Sequence, residues 1–237
     1  MRGLFDIHCH IIPGVDDGAS DTKEALAMLR AEYEQGVRTI IATPHFRRGM
    51  FETPREEIIR QFELLKREAM KDRLGIELYL GCEYHANMEI LKYLRNGMAS
   101  TMAGSRFVLT EFSGRDDKSY IRGRLAALTA CGCRPIIAHL ERYDCLRKDI
   151  SFIEELVEMG SYVQINAGSI IGESGFFMKS FCKKLLKADL VHFVGTDAHN
   201  MKYRPPKIKE AYSYISKKMG QDRADTIFIT NPQRMIK

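Results

Sequence analysis

Seven short apolar segments, separated by helical patterns, constrain the fold of this chain more than any other feature. Strands that alternate with helices indicate parallel βαβ units. No linker, low-complexity tract or change in composition divides the sequence, so we expect one α/β domain over residues 1–237. The predicted strands are Leu4–His8, Arg38–Ala42, Glu77–Leu80, Phe107–Glu111, Pro135–Ala138, Tyr162–Asn166 and His192–Gly195.

Helix start and stop signals lie between these segments. Ser20 is expected to cap a helix over Asp21–Gln35, which Gly36 would end. The run Thr53-Pro54-Arg55-Glu56 predicts a capping box with proline at the first helical position, opening a helix to about Arg73. The other predicted helices are Tyr120–Cys131, Ser151–Met159, Phe176–Lys187, Lys207–Met219 and Gln221–Phe228, with a partly helical stretch at Glu89–Ser100.

The composition indicates a globular protein and excludes several classes. Hydrophobic residues make up 45% and charged residues 28% of the chain, and no apolar run approaches the roughly 20 residues that span a bilayer. No signal-peptide pattern precedes the first strand, and the six cysteines form no secreted-protein framework, so we expect a cytoplasmic protein. The net charge of +5 suits an anionic substrate. No basic run alternates with aromatic residues, so no nucleic-acid partner is expected.

Every predicted strand is followed by an acid, an amide or an imidazole. In a parallel α/β barrel the C-terminal strand ends share one face, where active sites lie, so these residues would converge. The opening His8-Cys9-His10 places two imidazoles on one side of a strand end, because residues two apart on a strand point the same way. In chain order the candidates are His8, His10, Asp17, His45, Glu83, Glu111, His139, Asn166, Asp197 and His199.

This set mixes nitrogen and oxygen donors and has no obvious thiolate. It favours Mn, Fe, Co or Zn over a soft metal, and it contains too much histidine for a pure Mg or Ca site. Several carboxylates imply bridging between two or three ions, an arrangement that suits displacement at phosphorus by metal-activated water. For each ligand the alternative is a loop histidine or a salt-bridged acid. His192 is expected to be a packed or hydrogen-bonded residue, and His85 and Asn166 are left open.

Two arginines near the candidate ligands are positioned to hold phosphate. Arg142 follows His139 by three residues, Arg204 follows His199 by five, and guanidinium pairs bidentately with phosphate oxygens. Ordinary solvent-exposed arginine is the alternative for both. The Arg47-Arg48 pair near His45 could help to hold phosphate, although charge pairs on loops are usually solvated. No cysteine precedes an arginine by six positions, and no Walker, dinucleotide-binding or nucleophile-elbow motif is present, so metal-activated water is the remaining chemistry.

The ordered ligand motifs resemble those of the PHP (polymerase and histidinol phosphatase) superfamily. Within it, the segment from Asp6 to Gly18 resembles the bacterial capsule and exopolysaccharide tyrosine phosphatases of the CpsB/CapC/YwqE type. So do Ala42-Thr43-Pro44-His45, His139-Leu140-Glu141-Arg142-Tyr143, Asp197-Ala198-His199-Asn200 and Arg204-Pro205-Pro206. The resemblance covers essentially the whole chain and implies a distorted (β/α)7 barrel of the PHP type with up to three metal ions, usually Mn2+.

The resemblance also implies a role for each residue. One ion would take His8, His10, Glu83 and Asp197, a second Glu83, Glu111 and His139, and a third Asp17, His45 and His199. Arg142 and Arg204 match the phosphate-contacting arginines of the family. Asp17 is preferred over its neighbour Asp16 from the family pattern and not on physical grounds.

The resulting hypothesis is a metal-dependent protein-tyrosine phosphatase. The family acts on phosphotyrosine proteins, notably the tyrosine-rich tail of the autokinase that controls polysaccharide export. One alternative is a PHP phosphatase of a small ester such as histidinol phosphate. Another, of a different class, is a non-catalytic, metal-loaded regulator that binds a kinase tail. The sequence leaves open whether the chain forms a homo-oligomer.

Overall fold

A computed structural model describes residues 3–236, and its framework is a curled, all-parallel sheet. All seven predicted strands are present, most within one residue of the predicted bounds. The strands are β1 Leu4–Cys9, β2 Val37–Ala42, β3 His45–Phe46, β4 Glu77–Leu80, β5 Glu83–His85, β6 Phe107–Glu111, β7 Arg134–Ile137, β8 Tyr162–Asn166 and β9 Phe193–Gly195.

Two short strands, β3 and β5, were not predicted. Each continues the preceding strand after a two-residue interruption, at Thr43-Pro44 and at Gly81-Cys82. Proline has no N–H to donate to a ladder, which accounts for the first interruption. At the second, a Cβ on Gly81 would lie 2.9 Å from the side chain of Ile41, so glycine allows the close approach. In the renewed register His45 pairs with Glu83, which sets two predicted ligands side by side.

With each extension counted as part of its parent strand, the sheet has seven staves. The order is β1-β2-β4 in one part and β3-β5-β6-β7-β8-β9 in the other, with parallel pairing throughout. A parallel bridge between Cys9 and Ala198 joins the first stave to the segment after the last, and His10 N donates to Ala198 O at 2.8 Å. The prediction of a distorted (β/α)7 barrel is confirmed.

The predicted helices are present with small changes in their bounds. Phe176–Lys187 is reproduced, whereas the predicted Gln221–Phe228 is an α-helix only to Asp225 and continues as a π-helix over Thr226–Thr230. The helices are α1 Thr22–Glu34, α2 Arg55–Lys71, α3 Ile90–Arg95, α4 Lys118–Ala130, α5 Asp144–Arg147, α6 Ile150–Glu158, α7 Ala167–Ile171, α8 Phe176–Lys187, α9 Ile208–Met219, α10 Gln221–Asp225 and α11 Asn231–Gln233, with 3-10 turns at Met102–Gly104 and Leu140–Arg142.

Both predicted helix caps are wrong. Asp21, not Ser20, caps α1, and its carboxylate accepts from Glu24 N at 2.8 Å. Ser20 lies one residue too early and instead donates its hydroxyl to the Glu24 carboxylate. At α2 the Thr53 hydroxyl donates to Val15 O at 2.6 Å, so no capping box forms. The Thr53 hydroxyl is used in a tertiary contact, which the local sequence does not predict.

The apolar core has an inner and an outer part. The inner cluster fills the barrel with strand residues such as Phe5, Ile7, Ile41, Leu109 and Ile136, and the outer cluster joins the strands to the surrounding helices. The inner cluster lies below the polar strand ends, and the candidate ligands meet above it at the C-terminal face. No helix within residues 3–236 has the length and apolar character needed to cross a membrane.

Candidate metal centre

The first strand changes phase at the point where the site begins. Its pairing with β2 is irregular between Asp6 and Cys9, as a β-bulge produces. Phe5 and Ile7 belong to the inner apolar cluster, whereas His8 and His10 lie among the other candidate ligands. Asp6 and Cys9 lie beside Glu32 of α1. Across the irregularity the strand therefore changes from presenting apolar side chains to the inner cluster to presenting two imidazoles to the site.

Glu83 stands at the centre of the site. Its Oε2 lies 3.2 Å from His8 Nε2, 3.2 Å from His10 Nε2 and 3.0 Å from His45 Nδ1. Its Oε1 lies 2.8 Å from His139 Nε2. The carboxylate is fully buried, and four imidazoles from three strand ends (β1, β3 and β7) meet on it. This is the geometry expected of a bridging ligand.

The donor atoms form three overlapping groups. In each group the candidate atoms lie within 4.8 Å of one another. The geometry therefore brings together all nine predicted ligands, because His139 joins the third group through contacts of 2.8 Å to Glu83 and 3.7 Å to Glu111. The groups are His8, His10, Glu83 and Asp197; His10, Asp17, His45 and His199; and His45, Glu83 and Glu111.

Outward-facing hydrogen bonds orient three of these imidazoles. Nδ1 of His10 lies 2.8 Å from Asp16 Oδ2, Nδ1 of His8 lies 3.2 Å from Gln164 Oε1, and Nδ1 of His199 lies 3.0 Å from the carbonyl oxygen of Asp197. Each acceptor holds a proton on Nδ1, so Nε2, once deprotonated, would direct its lone pair at the centre. Carboxylate or carbonyl support of this kind is the usual environment of a metal-bound histidine.

Several inward-facing atoms have no ordinary partner, and they fit divalent cations. The buried Nε2 of His199 makes no hydrogen bond, and neither does Glu83 Oε2, although three imidazole nitrogens surround it. Nε2 atoms of His8 and His10 face each other at 3.3 Å. Buried polar atoms without partners are costly, and a cation shared among them would satisfy them all. The donor set is nitrogen and oxygen, as Mn, Fe, Co and Zn accept.

The imidazoles control the carboxylate pKa values. Burial opposes ionisation of Glu83, but His8 and the other surrounding imidazoles hold the pKa of Glu83 well below its ordinary value. Burial likewise opposes ionisation of Asp197, and His8 with Arg142 keeps its pKa low. Glu111 is nearer the surface, and burial together with the Glu83 charge raises its pKa. The central carboxylates are therefore ionised, as ligation requires.

Two arginines converge on Asp197. Its Oδ2 accepts from Arg142 at 2.9 Å and from Arg204 at 2.7 Å, while Asn166 donates to the same oxygen at 2.8 Å. Its Oδ1 lies 3.5 Å from Nε2 of both His8 and His10. Asp197 thus joins the imidazoles to the cationic side of the site, and Arg142 and Arg204 line a cavity of about 260 Å³ above the ligands.

The two adjacent acids that the sequence could not separate take different positions. Asp16 is buried and bonds to His10 Nδ1 and to the backbone N–H of His45, at 2.8 and 2.9 Å. Burial opposes this, but the His10 charge and these donors lower the pKa of Asp16 to about 2. Asp17 is half exposed, and its Oδ1 lies 3.5 Å from Nε2 of both His45 and His199. The geometry favours Asp17 as the ligand and Asp16 as the support of His10.

The structure separates the two residues whose roles the sequence left open. Asn166 contacts Asp197, whereas His85 bonds to the Ser113 hydroxyl at 3.2 Å and belongs to none of the donor groups. His192 is hydrogen-bonded to the backbone of Val163, as predicted. Of the basic pair, Arg48 is exposed and pairs with Glu52, and Arg47 lines the cavity above the ligands.

Sequence reasoning missed three supporting residues. Gln164 accepts from the backbone N–H of His139 at 2.7 Å, contacts His8, and donates to Asn166 at 2.9 Å. The Tyr143 hydroxyl lies 3.3 Å from His139 Nδ1. Glu141 accepts from Asn166 N at 3.0 Å. The sequence does contain a signal for part of this support. Gln164 and Asn166 are polar residues spaced by two in an otherwise apolar strand.

A second buried cluster lies beside the ligands. Asp6, Cys9 and Glu32 are fully buried, with candidate atoms within 4.8 Å of one another. Asp6 accepts from Thr196 N at 3.0 Å and from His8 N at 3.1 Å, so it links β1 to the Asp197 loop. Burial raises the pKa of the Cys9 thiol well above its ordinary value, which suits the predicted packing role.

The whole chain is similar to a family of known proteins. A family model described as capsular polysaccharide synthesis, CpsB/CapC, matches residues 4–237. This chain belongs to the CpsB/CapC family. The tyrosine-protein phosphatase CpsB of Streptococcus pneumoniae is 38% identical over 98% of both chains. The tyrosine-protein phosphatase YwqE of Bacillus subtilis (strain 168) is 34% identical over 92% of this chain and 86% of its own.

Solved structures agree with the family. The structure reported for YwqE from Bacillus subtilis and CpsB from Streptococcus pneumoniae, described as unique metal-dependent tyrosine phosphatases, matches with a TM-score of 0.92. It is 32% identical and covers 98% of this chain and 95% of that chain. A phosphotriesterase homology protein from Escherichia coli matches with a TM-score of 0.61 at 14% identity over 98% of both chains, which shows the shared fold alone.

Proposed function

We propose that this chain is a metal-dependent protein-tyrosine phosphatase, that is, a hydrolase of phosphoric monoesters. One observation carries the proposal: Glu83 is surrounded by four imidazoles, and two arginines converge on the adjacent ligand Asp197. A cavity of about 260 Å³ lined by arginines, above nitrogen and oxygen donors, is an arrangement suited to phosphoryl transfer. The names of the relatives CpsB and YwqE support tyrosine phosphatase activity in particular.

The proposed ligands are the nine residues predicted from the sequence, with Glu83 bridging. Divalent ions held there supply Lewis acidity toward phosphoryl oxygens and activate water near neutral pH. Mn2+ is the proposed ion, at up to three per chain, and Fe, Co or Zn suit the same donors. We also propose that residues 1–237 act as one domain. The ligands are His8, His10, Asp17, His45, Glu83, Glu111, His139, Asp197 and His199.

The arginines position and neutralise the substrate. Arg142 and Arg204 share the single oxygen Asp197 Oδ2, so each keeps guanidinium N–H groups that can be directed at a phosphoryl group in the cavity. Planar guanidinium pairs with phosphate oxygens bidentately, and preformed donors stabilise the charge that develops on those oxygens. Asp197 restrains both arginines, since its other oxygen faces His8 and His10.

The proposed substrate is a phosphotyrosine protein. The family description names capsular polysaccharide synthesis, which supports a substrate in that process. We propose the tyrosine-rich tail of a bacterial tyrosine kinase controlling capsule or exopolysaccharide synthesis. A disordered tail that carries phosphotyrosine can reach a recessed cavity that a folded phosphoprotein surface cannot.

Metal analysis combined with turnover tests the proposal. The purified protein is assayed with a phosphotyrosine peptide before chelation, after chelation and after re-addition of Mn2+, and bound metals are quantified at each stage. We expect activity to fall with metal content and to return with Mn2+. Turnover that persists after complete metal removal would contradict the proposal.

Two comparisons separate the alternatives. A parallel assay with histidinol phosphate should give a much lower kcat/KM than the phosphotyrosine peptide, and the reverse order would assign a small-ester phosphatase. A protein that holds stoichiometric metal but never hydrolyses an aryl phosphate would instead be a non-catalytic regulator.

A further inference from the structure

A small hairpin stands at the mouth of the metal cavity. Residues 47–51, here called the rim hairpin, follow β3 directly. Arg47 N donates to Phe51 O at 2.9 Å, and Phe51 N donates to Arg47 O at 2.8 Å. Gly49 has φ +75°, which favours glycine, and its N–H donates to the Glu52 carboxylate at 3.1 Å. The hairpin is therefore held in place by its own bonds before any ligand arrives.

The rim hairpin gives the cavity its apolar surface. Among the residues that the structure describes, Met50 and Phe51 are the apolar ones that line the cavity of about 260 Å³. The other lining residues are proposed ligands and arginines. Phe51 stacks on His45, with ring centroids 4.9 Å apart and planes 12° from parallel. One edge of an otherwise polar cavity is thus apolar and aromatic.

Met50 is the freely available part of this edge. Its side chain is 61% exposed, although it lies directly beside a highly polar site. Methionine is flexible and polarizable, and its thioether makes favourable contacts with aromatic rings. An exposed apolar side chain at the rim of a polar cavity is the arrangement by which binding sites accept the apolar part of a ligand.

We propose that the rim hairpin binds the phenyl ring of phosphotyrosine and so selects aryl over alkyl phosphates. This inference rests on the proposed function. The donor atoms of Glu83 and His139 are buried, so a phosphoryl group must enter the cavity ahead of whatever carries it. An aromatic ring spans the distance from the buried ligands to the rim and lies against Met50 and Phe51. The shorter side chain of phosphoserine would bring the peptide backbone itself to the rim.

Non-hydrolysable ligands isolate the contribution of the ring. The probes are phenylphosphonate and methylphosphonate, used as competitive inhibitors of p-nitrophenyl phosphate turnover by the Mn2+-loaded protein. We expect Met50→Ala to weaken inhibition by phenylphosphonate about tenfold, the scale of one lost apolar contact in a pocket. Inhibition by methylphosphonate should not change. Met50→Leu should restore most of the phenyl preference.

Met70→Ala is the matched control. Met70 is 67% exposed on α2 and lies in a groove beside Glu77, where β4 begins, so it is remote from the C-terminal strand ends. It should behave as the wild type with both inhibitors. Equal changes for the two inhibitors in Met50→Ala, or no change, would overturn this inference alone. A wild-type protein that is inactive on every aryl phosphate would overturn the proposed function, and this inference with it.

Discussion

Two buried clusters of acidic residues lie next to each other along β1, and the pKa values of their buried carboxyl groups are shifted in opposite directions. Around Glu83 and Asp197, imidazole and guanidinium groups outweigh burial and hold the carboxyl pKa values low. Around Asp6 and Glu32, no cation faces the pair in the described residues, and burial raises both pKa values. Strand β1 thus borders one cluster that suits metal ions and another in which a buried carboxyl group retains a proton.

The difference shows that burial and carboxylates alone do not make a metal site. The candidate donor atoms of Asp6, Cys9 and Glu32 lie within 4.8 Å of one another, as those of the ligand groups do. They lack imidazoles, however. Neither buried oxygen of Glu32 has a hydrogen-bond partner, and a protonated Glu32 directed at Asp6 would satisfy both acids. In the ligand cluster the Nδ1 atoms of His8, His10 and His199 already face other acceptors, so their protons are not available to Glu83.

The sharpest test of the comparison replaces one buried glutamate in each cluster. Glu83→Gln removes the bridging carboxylate and should lower metal content and reduce kcat at least about a hundredfold, since even outer-shell changes cost up to that much. Glu32→Gln should retain metal and activity. Metal analysis and phosphotyrosine turnover measure both variants, with circular dichroism as the control for folding.

His139→Ala and Asp197→Ala approach the same cluster from other strands. Both should abolish activity with the fold largely kept. Near wild-type turnover in either variant would refute the ligand assignment.

The cationic side of the ligand cluster gives the second-largest expected effect. Arg142→Ala should reduce kcat/KM for the phosphotyrosine peptide by about 10²–10³, the usual cost of losing one preorganised donor to a developing oxyanion. Metal content should remain unchanged, because Arg142 contacts Asp197 Oδ2 and Oδ1 faces the imidazoles. Arg147→Ala is the control, since its guanidinium pairs with Asp144 and lies outside the cavity. A wild-type rate in Arg142→Ala would exclude a role in phosphate binding.

Features that depend on local sequence patterns could be predicted, whereas features that depend on contacts between distant residues could not. The strands and the convergence of the nine proposed ligands were predictable, because apolar runs and polar strand ends are local patterns that the barrel brings together. The caps at Ser20 and Thr53 failed, because tertiary partners decide where a hydroxyl bonds. Gln164 and Glu32 were missed, since a buried polar residue inside an element carries no local sign of its partner.

The adjacent acids offer a third, smaller test. Asp16→Asn should weaken metal binding about 10–100-fold, as expected for the partner of a ligating histidine, while leaving the ligand count unchanged. Asp17→Asn should instead remove one oxygen donor from the group with His45 and His199. Titration of the metal-free variants with Mn2+ distinguishes a uniform loss of affinity from the loss of a single site. The same result for both variants would contradict the different positions of the two acids.

The smallest expected effect concerns the proton-holding cluster. Burial, reinforced by Asp6, raises the pKa of Glu32 well above its ordinary value, so the folded chain binds a proton that the unfolded chain releases above about pH 4.5. The free energy of unfolding should therefore decrease as pH rises above 4.5, until the folded-state pKa is passed. Glu32→Gln stays neutral at every pH and keeps a donor for Asp6. It should stabilise the metal-free protein at pH 7 by on the order of 1 kcal/mol, or about 2–4 °C in Tm, and by more at pH 8 than at pH 6. Thermal unfolding across this range measures the difference, with the exposed Glu34→Gln on the same helix as control. A pH-independent difference would mean that Glu32 is ionised in the folded protein and that the two clusters do not differ as described.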